Sequence, residues 1–332
     1  LPGFEVVECS PGEVDALVGE FARTPFDLAV DRPLRVRYFD CGPGGSVLVV
    51  LAHHIATDGW SEGVFVRDLG RAYAARLAGG APEWEPLPVQ YADFALWQRD
   101  VLGSPEDPHS LLAQQTDFWR SALEGAPGAL GLPFDRARPD TPTGRGAQET
   151  LDLDADLHAR LLAVAGAHGC TLLMVVQAAL AVTLSTAGAG EDVPLGTPVA
   201  GRDEEALEDL VGFFVNTLVL RTGVSPDQTI AGLLAEVREA DLRAYAHQDV
   251  PFDLLVEALN PERVSGRHPL FQVTVAVNGA QGEGADTEFA GAVKAELVPV
   301  DTGVAKFDLA VGFVERRDGS GGAAGLSGVV EY

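Results

Sequence analysis

The run Ser46-Val-Leu-Val-Val-Leu-Ala is apolar after its first residue and rich in β-branched side chains, the composition of a strand covered on both faces. Such a strand demands a sheet with material packed on each side, and the flanking text supplies it. Upstream, Cys41-Gly-Pro-Gly-Gly reads as a turn, and Leu34-Arg-Val-Arg-Tyr-Phe alternates as a half-buried strand does. Downstream, Glu62 to Leu77 sets Phe65, Leu69, Tyr73 and Leu77 four apart, so one helical face is apolar, with Ser61 as the expected N-cap. A further capped helix is expected from Ser10 to Phe21.

The same alternation resumes beyond a Pro/Gly break at Gly79 to Pro88. Helical text covers Tyr91 to Arg99 and Leu111 to Leu123, and Ala126 to Gly146 reads as a long surface connection. A strand is expected at Gln148 to Leu153, helices at Asp154 to Ala167 and Thr171 to Thr186, and strands around Val193 and from Phe213 to Arg221. A helix at Thr229 to Ala246 and strands at Phe271 to Asn278 and Leu326 to Tyr332 follow, with Gly319 to Gly325 as a mobile hairpin loop. A length of 332 residues suits about two domains, and the boundary is placed near residue 95.

With 46% apolar and 22% charged residues, disordered, collagen-like and transmembrane readings are excluded. The net charge of −26 repels nucleic acid and anionic membranes, so neither is expected as a partner. Three widely spaced cysteines, Cys9, Cys41 and Cys170, encode neither a disulfide framework nor a zinc site, and no metal is expected. A reducing compartment fits, and without a charged-then-apolar leader the expected location is cytoplasmic.

The densest group of chemically capable residues is His53-His54-Ile55-Ala56-Thr57-Asp58-Gly59-Trp60-Ser61. Neighbouring side chains on a strand point to opposite faces, so the two histidines are expected to differ in role. One packs inside the fold, while the other projects as a neutral imidazole able to accept a proton near pH 7.

This segment resembles the H-H-x-x-x-D-G signature of condensation domains of nonribosomal peptide synthetases, relatives of chloramphenicol acetyltransferase. Further similar segments follow in that family's order: Tyr91-Ala-Asp-Phe-Ala-Leu-Trp, Val211-Gly-Phe-Phe-Val-Asn-Thr with Arg221, His247-Gln-Asp-Val-Pro-Phe-Asp and Arg267-His-Pro-Leu-Phe-Gln. The resemblance implies an α/β fold of two chloramphenicol-acetyltransferase-like lobes, mixed sheets with flanking helices, in a V-shaped pseudo-dimer. Residues 1–95 would be a partial N-terminal lobe carrying the signature, and 96–332 a C-terminal lobe incomplete at its end; the chain reads as trimmed on both sides.

The resemblance further implies an acyltransferase that forms a peptide bond between an upstream acyl or peptidyl thioester and the amine of a downstream aminoacyl thioester. Both substrates arrive on peptidyl carrier proteins, beside an adenylation domain of the same synthetase, in antibiotic biosynthesis. No cofactor belongs to the domain itself, because phosphopantetheine comes attached to the carriers. His54 becomes the catalytic residue and His53 a structural one. Asp58 holds the signature loop by an ion pair with Arg202 as candidate partner, and Trp60 and Asn216 line the substrate channel. Gly59 is expected where any Cβ would intrude. His-His-Ile-Ala-Thr-Asp-Gly-Trp-Ser, with Asn260-Pro-Glu-Arg downstream, resembles the class joining an L-configured donor to an L-configured acceptor.

Two rival readings stand beside this. Gly59-Trp-Ser-Glu-Gly63 also satisfies G-x-S-x-G, which would make Ser61 an esterase nucleophile on a strained strand-to-helix turn. Alternatively, a non-catalytic member of the same fold recruits a partner enzyme, although such domains typically lose the signature that this chain keeps.

Overall fold

The computed structural model describes residues 3–139, 141, 143–261, 266–279, 287–289, 293–298 and 300–332. Two compact units emerge. The first comprises Leu1–Ala95, Arg202–Phe214 and Gly282–Thr302; the second comprises Leu96–Gly201, Val215–Gln281 and Gly303–Tyr332.

Unit 1 is built on a three-stranded mixed sheet, β1 (Phe4–Glu8), β2 (Leu34–Asp40) and β3 (Ser46–Ala52), in the order β1-β2-β3. β1 pairs parallel with β2, and β2 antiparallel with β3. Helix α1 (Val14–Ala22) buries Phe21 against Phe39 and Val49, closing a small apolar cluster. Helix α2 (Gly59–Leu77) follows β3, and a short ribbon of β8 (Thr287–Phe289) and β9 (Val293–Ala295) completes the unit. The expectation that β3 is covered on both faces does not hold among the described residues. β3 pairs only with β2 among the described residues, and Val47 is 37% and Leu48 42% exposed, whereas Val49 and Leu51 join the cluster against α1. A run of apolar residues reports the tolerance for burial, not the number of layers supplied.

Unit 2 carries a six-stranded mixed sheet in the order β4-β11-β10-β7-β5-β6. Its strands are β4 (Gln148–Leu153), β5 (Asp192–Val199), β6 (Asn216–Gly223), β7 (Val273–Gly279), β10 (Leu309–Arg317) and β11 (Ala323–Glu331). Parallel pairs join β7 to β5 and β10; β5–β6, β10–β11 and β11–β4 run antiparallel. The unit's helices are α4 (Leu111–Ala122), α5 (Ala155–His168), α6 (Leu172–Leu184), α7 (Ile230–Tyr245) and α8 (Phe252–Leu259), while α3 (Tyr91–Leu102) begins in unit 1 and ends here. Ser110, Asp154, Thr171 and Thr229 each cap a helix by accepting a backbone N–H, as their residue types favour.

Leu172–Ala189 is long and apolar enough to cross a bilayer by length and composition. In the fold, Leu172, Val176, Ala181 and Leu184 of α6 join the sheet's core, and Met174, Val175 and Ala178 pack with Leu233, Leu234 and Val237 of α7. Each large side chain so buried is worth roughly 1.5–3 kcal/mol. Gly196 of β5 has a packing reason: a Cβ there would stand 2.3 Å from the buried Phe271 ring. The strand expected from Phe213 begins only at Asn216, because 211–215 leave the sheet direction as a loop. The Gly319 to Gly325 tract is the expected hairpin connection, joining β10 to β11, and Asp318 accepts N–H bonds from Ser320 and Gly322 at 2.8 Å each.

Candidate active site

β3 ends at Ala52, and the histidine pair therefore lies beyond the strand rather than on it. His53, in extended conformation, caps a single turn of tight helix, His54–Ala56, and its Nδ1 accepts the Ile55 N–H at 3.0 Å. Its ring meets Phe26 edge-on at 5.8 Å between centroids. The two rings thus diverge through a turn, not through strand pleating.

His54 is exposed, and its Nδ1 lies 2.6 Å from the carbonyl oxygen of Thr57. A carbonyl can only accept, so Nδ1 carries the hydrogen, and in the neutral ring Nε2 keeps its lone pair. No described residue bonds Nε2. Phe213 packs edge-to-face against the ring, with centroids 5.2 Å apart and planes at 88°.

The turn is anchored by Asp58, the N-cap of α2. Its Oδ1 accepts the Ser61 N–H at 2.9 Å, the Ser61 hydroxyl at 2.7 Å and Arg202 Nη2 at 3.0 Å, while Oδ2 accepts the Phe214 N–H at 3.0 Å. The side chains of Arg202 and Asp58 are only 1% and 3% exposed. Burial pushes the Asp58 carboxyl upward, but the Ser61 hydroxyl, the Phe214 and Ser61 N–H groups and the Arg202 charge together hold it below the usual carboxylate range. Arg202, the candidate partner, is built into the same buried cluster. Its Nη1 donates to the carbonyls of Leu207 and Leu210 at 2.5 and 2.9 Å, and its guanidinium lies 4.1 Å over the Phe214 ring.

Ser61 is the third residue of α2, not its cap; the helix starts at Gly59, and the Asp58 side chain caps it by accepting the Ser61 N–H while the Ser61 hydroxyl faces the Asp58 N–H. It is 0% exposed, and its hydroxyl is shared among Asp58, Arg202 Nη2 at 3.0 Å and the Gly212 backbone N–H at 3.1 Å. A hydroxyl so enclosed is not presented as a nucleophile, which removes the esterase reading.

Gly59 differs from expectation. A Cβ there meets nothing within 4 Å, so the protein itself does not require glycine; the crowded glycine is Gly212, where a Cβ would stand 2.5 Å from the Tyr91 ring. Trp60 is 37% exposed and donates its indole N–H to the Glu208 carbonyl at 3.0 Å. Asn216 is not a free channel-lining group. Its amide donates to the Gln248 and Val250 carbonyls, both at 2.8 Å, and its oxygen accepts the Thr217 and Phe252 N–H groups, both at 2.9 Å. All of its ordinary bonding capacity is engaged in clamping the loop before α8. His247 in that loop donates Nδ1–H to the Arg243 carbonyl at 2.7 Å and stacks on Phe118 at 3.7 Å, a structural placement.

Two residues were not singled out from the sequence. Phe213 sits inside a quoted motif, but only its contact with His54 shows its role; the Tyr91 hydroxyl donates to its carbonyl at 2.7 Å. Glu62, in the first turn of α2, feels the charge of His54: burial raises its carboxyl, the His54 charge partly offsets this, and Asp58 raises it further. The only signal for Glu62 was its place one turn beyond Asp58.

The family model for the condensation domain matches residues 5–321. The chain is 50% identical over 322 residues to a probable non-canonical nonribosomal peptide synthetase, CymA, of Salinispora arenicola, covering 97% of this chain and 4% of that protein. It is 44% identical over 332 residues to a dimodular nonribosomal peptide synthase of Bacillus subtilis, covering 100% of this chain and 14% of that one. The chain therefore spans only a small part of these relatives. Among solved structures, the complex of the X-domain and OxyB from teicoplanin biosynthesis aligns with a TM-score of 0.91 at 36% identity, over 99% of this chain and 71% of that one. The first condensation domain of the calcium-dependent antibiotic synthetase, with a substrate analogue, aligns at 0.70 and 21% identity over 99% and 72%, a likeness of fold.

Proposed function

The chain belongs to the condensation-domain family of nonribosomal peptide synthesis, and from that premise we propose that it forms a peptide bond between two carrier-bound thioesters. The amine of the downstream aminoacyl thioester attacks the carbonyl of the upstream acyl thioester, the carbon–sulfur bond breaks, and the donor carrier's phosphopantetheine thiol leaves. An α-amine has a pKa of about 7.7–8.0, so part of it is already neutral near pH 7 and the base is needed mainly for the proton released on attack.

The observation that carries this reading is the His54 ring with Nδ1–H held by Thr57 and Nε2 free to accept. Nε2 binds the attacking amine and takes its proton, combining positioning with general-base work. The open space at Gly59 leaves room for substrate beside the turn. Asp58, Arg202 and Ser61 hold the turn and do not touch substrate. We assign the natural partners as upstream and downstream peptidyl carriers beside an adenylation domain. The donor and acceptor are assigned as L-configured from the wording of the signature and of Asn260-Pro-Glu-Arg, of which Glu262 and Arg263 lie outside the described residues.

The test is amide formation with both carriers loaded, comparing L- and D-configured donors. Product that depends on His54 supports the reading; no product from any loaded pair removes it. A second reading is favoured by one observation, the 36% identity to the X-domain solved with OxyB: the chain recruits a partner protein to a carrier-bound peptide. Tight binding of such a partner, with no amide formed, selects that reading.

A further inference from the structure

The wide spacing of Cys9 and Cys41 is closed by the parallel pairing of β1 with β2. The ladder registers Glu8 opposite Asp40 and continues one step, the Cys9 N–H donating to the Asp40 carbonyl at 3.0 Å. Adjacent strands lie about 4.8 Å apart, inside the Cα separation of about 4.4–6.8 Å that a disulfide spans. The two Sγ atoms stand 3.1 Å apart, inside van der Waals contact yet unbonded. Cys41 is buried, and Cys9 packs at the margin of the cluster of Phe21, Phe39 and Val49. That cluster is small, so unit 1's sheet has little apolar support of its own. Cys170 lies in the other unit, its Sγ facing the His168 and Leu234 carbonyls.

We propose that Cys9 and Cys41 are a modification site, a dithiol that closes to a reversible intramolecular disulfide by exchange with a low-molecular-weight disulfide such as oxidised glutathione. In the first step one protein sulfur attacks the glutathione disulfide and releases one glutathione thiol. In the second the neighbouring protein sulfur displaces the other. The two protein thiols lose two electrons and two protons, and the reagent gains them as two thiols. The closed bond ties the end of β1 to the turn between β2 and β3. It does not depend on the proposed chemistry at His54.

Kinetically the pair is a slow partner rather than a fast peroxide sensor. The bond with Cys41 is the largest cause pushing the Cys9 thiol up to about 11, followed by burial and by the charges of Cys41, Glu13 and Asp40. Little thiolate is therefore present to attack.

The experiment is equilibration of the purified, reduced protein with oxidised glutathione, followed by intact mass and peptide mapping. The expected result is loss of two hydrogens, a joined peptide pair containing Cys9 and Cys41, one remaining titratable thiol, and full reversal by dithiothreitol. Cys170→Ser should preserve the linkage, whereas Cys9→Ser and Cys41→Ser should each abolish it together with any rise in Tm. A persistent glutathione adduct on either cysteine, a bond to Cys170, or three free thiols at equilibrium overturns the proposal.

Discussion

The Nδ1 of His54 and the carbonyl oxygen of Thr57 stand 2.6 Å apart, and this contact decides which ring nitrogen can receive a proton. A main-chain acceptor cannot change its own protonation, so it fixes the tautomer more durably than a titrating side chain would. His54→Ala should therefore lower the rate of amide formation by about 10²–10⁴. Thermal unfolding should stay near wild type, since the ring is exposed. Turnover within a few-fold of wild type would take His54 out of the mechanism.

Asp58→Asn leaves the Arg202 charge buried without its counter-ion. Removing one partner of a buried pair typically costs about 3–5 kcal/mol. The Asp58 carboxyl titrates below its unfolded value, so its contribution is present above about pH 4 and lost as pH falls through the lower folded value. Denaturant unfolding across pH should show the Asn variant less stable at pH 7, with the difference shrinking in acid. Equal midpoints at neutral pH would show that the ion pair adds nothing.

Asp241 presents the opposite sign. It is 0% exposed, it accepts from Gln177 Nε2 at 3.1 Å, and its Oδ2 has no partner among the described residues; burial raises its pKa to about 6, with the Gln177 bond opposing. The folded protein thus holds this proton more tightly than the unfolded chain, and stability should fall as pH rises from about 4 to 6. Asp241→Asn is uncharged at every pH and so removes that loss. The variant should be more stable at pH 7 by about 1–3 kcal/mol and indistinguishable near pH 4. A destabilised Asn variant at pH 7 contradicts the assignment.

Gly59 and Gly212 make a paired test of space. Gly59→Ala should retain or slightly raise stability, by up to about 1 kcal/mol, because alanine favours a helix. It should slow turnover if substrate passes there, as proposed. Gly212→Ala must displace the Tyr91 ring and should destabilise the fold by about 1–3 kcal/mol, measured by denaturant midpoint. The outcome that counts against this is the reverse ranking.

Asn216→Ala strips partners from the Thr217 and Phe252 N–H groups and from the Gln248 and Val250 carbonyls. A loss of about 1–3 kcal/mol is expected, with faster amide exchange from 247 to 252. Unchanged exchange in that loop would show that the clamp is dispensable.

Local pattern carried far in this chain. Strands β3 and β4 occupy the ranges that their composition suggests, and α5, α6 and α7 lie within a residue or two of their polar caps, because period and capping are properties of adjacent residues. What depends on distant neighbours was less legible. The pairing of β3 with β2 alone among the described residues, the open surroundings of Gly59 and the approach of the two thiols all follow from what packs nearby, and no window of sequence holds that information. Ser61 shows the intermediate case: a good capping residue type yields to Asp58, an equally good one three positions earlier, and becomes the N3 partner of a capping box.

Residues 202–214 are continuous in sequence with β5 and β6 yet fold into unit 1, where they deliver Arg202, Gly212, Phe213 and Phe214 to the anchored turn. A cut or graft at residue 95 would separate the signature from its own electrostatic keystone. A chimera joining the first 95 residues to a foreign remainder is consequently a replacement of the counter-ion as well as of the second unit, and modular engineering of such chains has to transplant this excursion together with the histidine it supports.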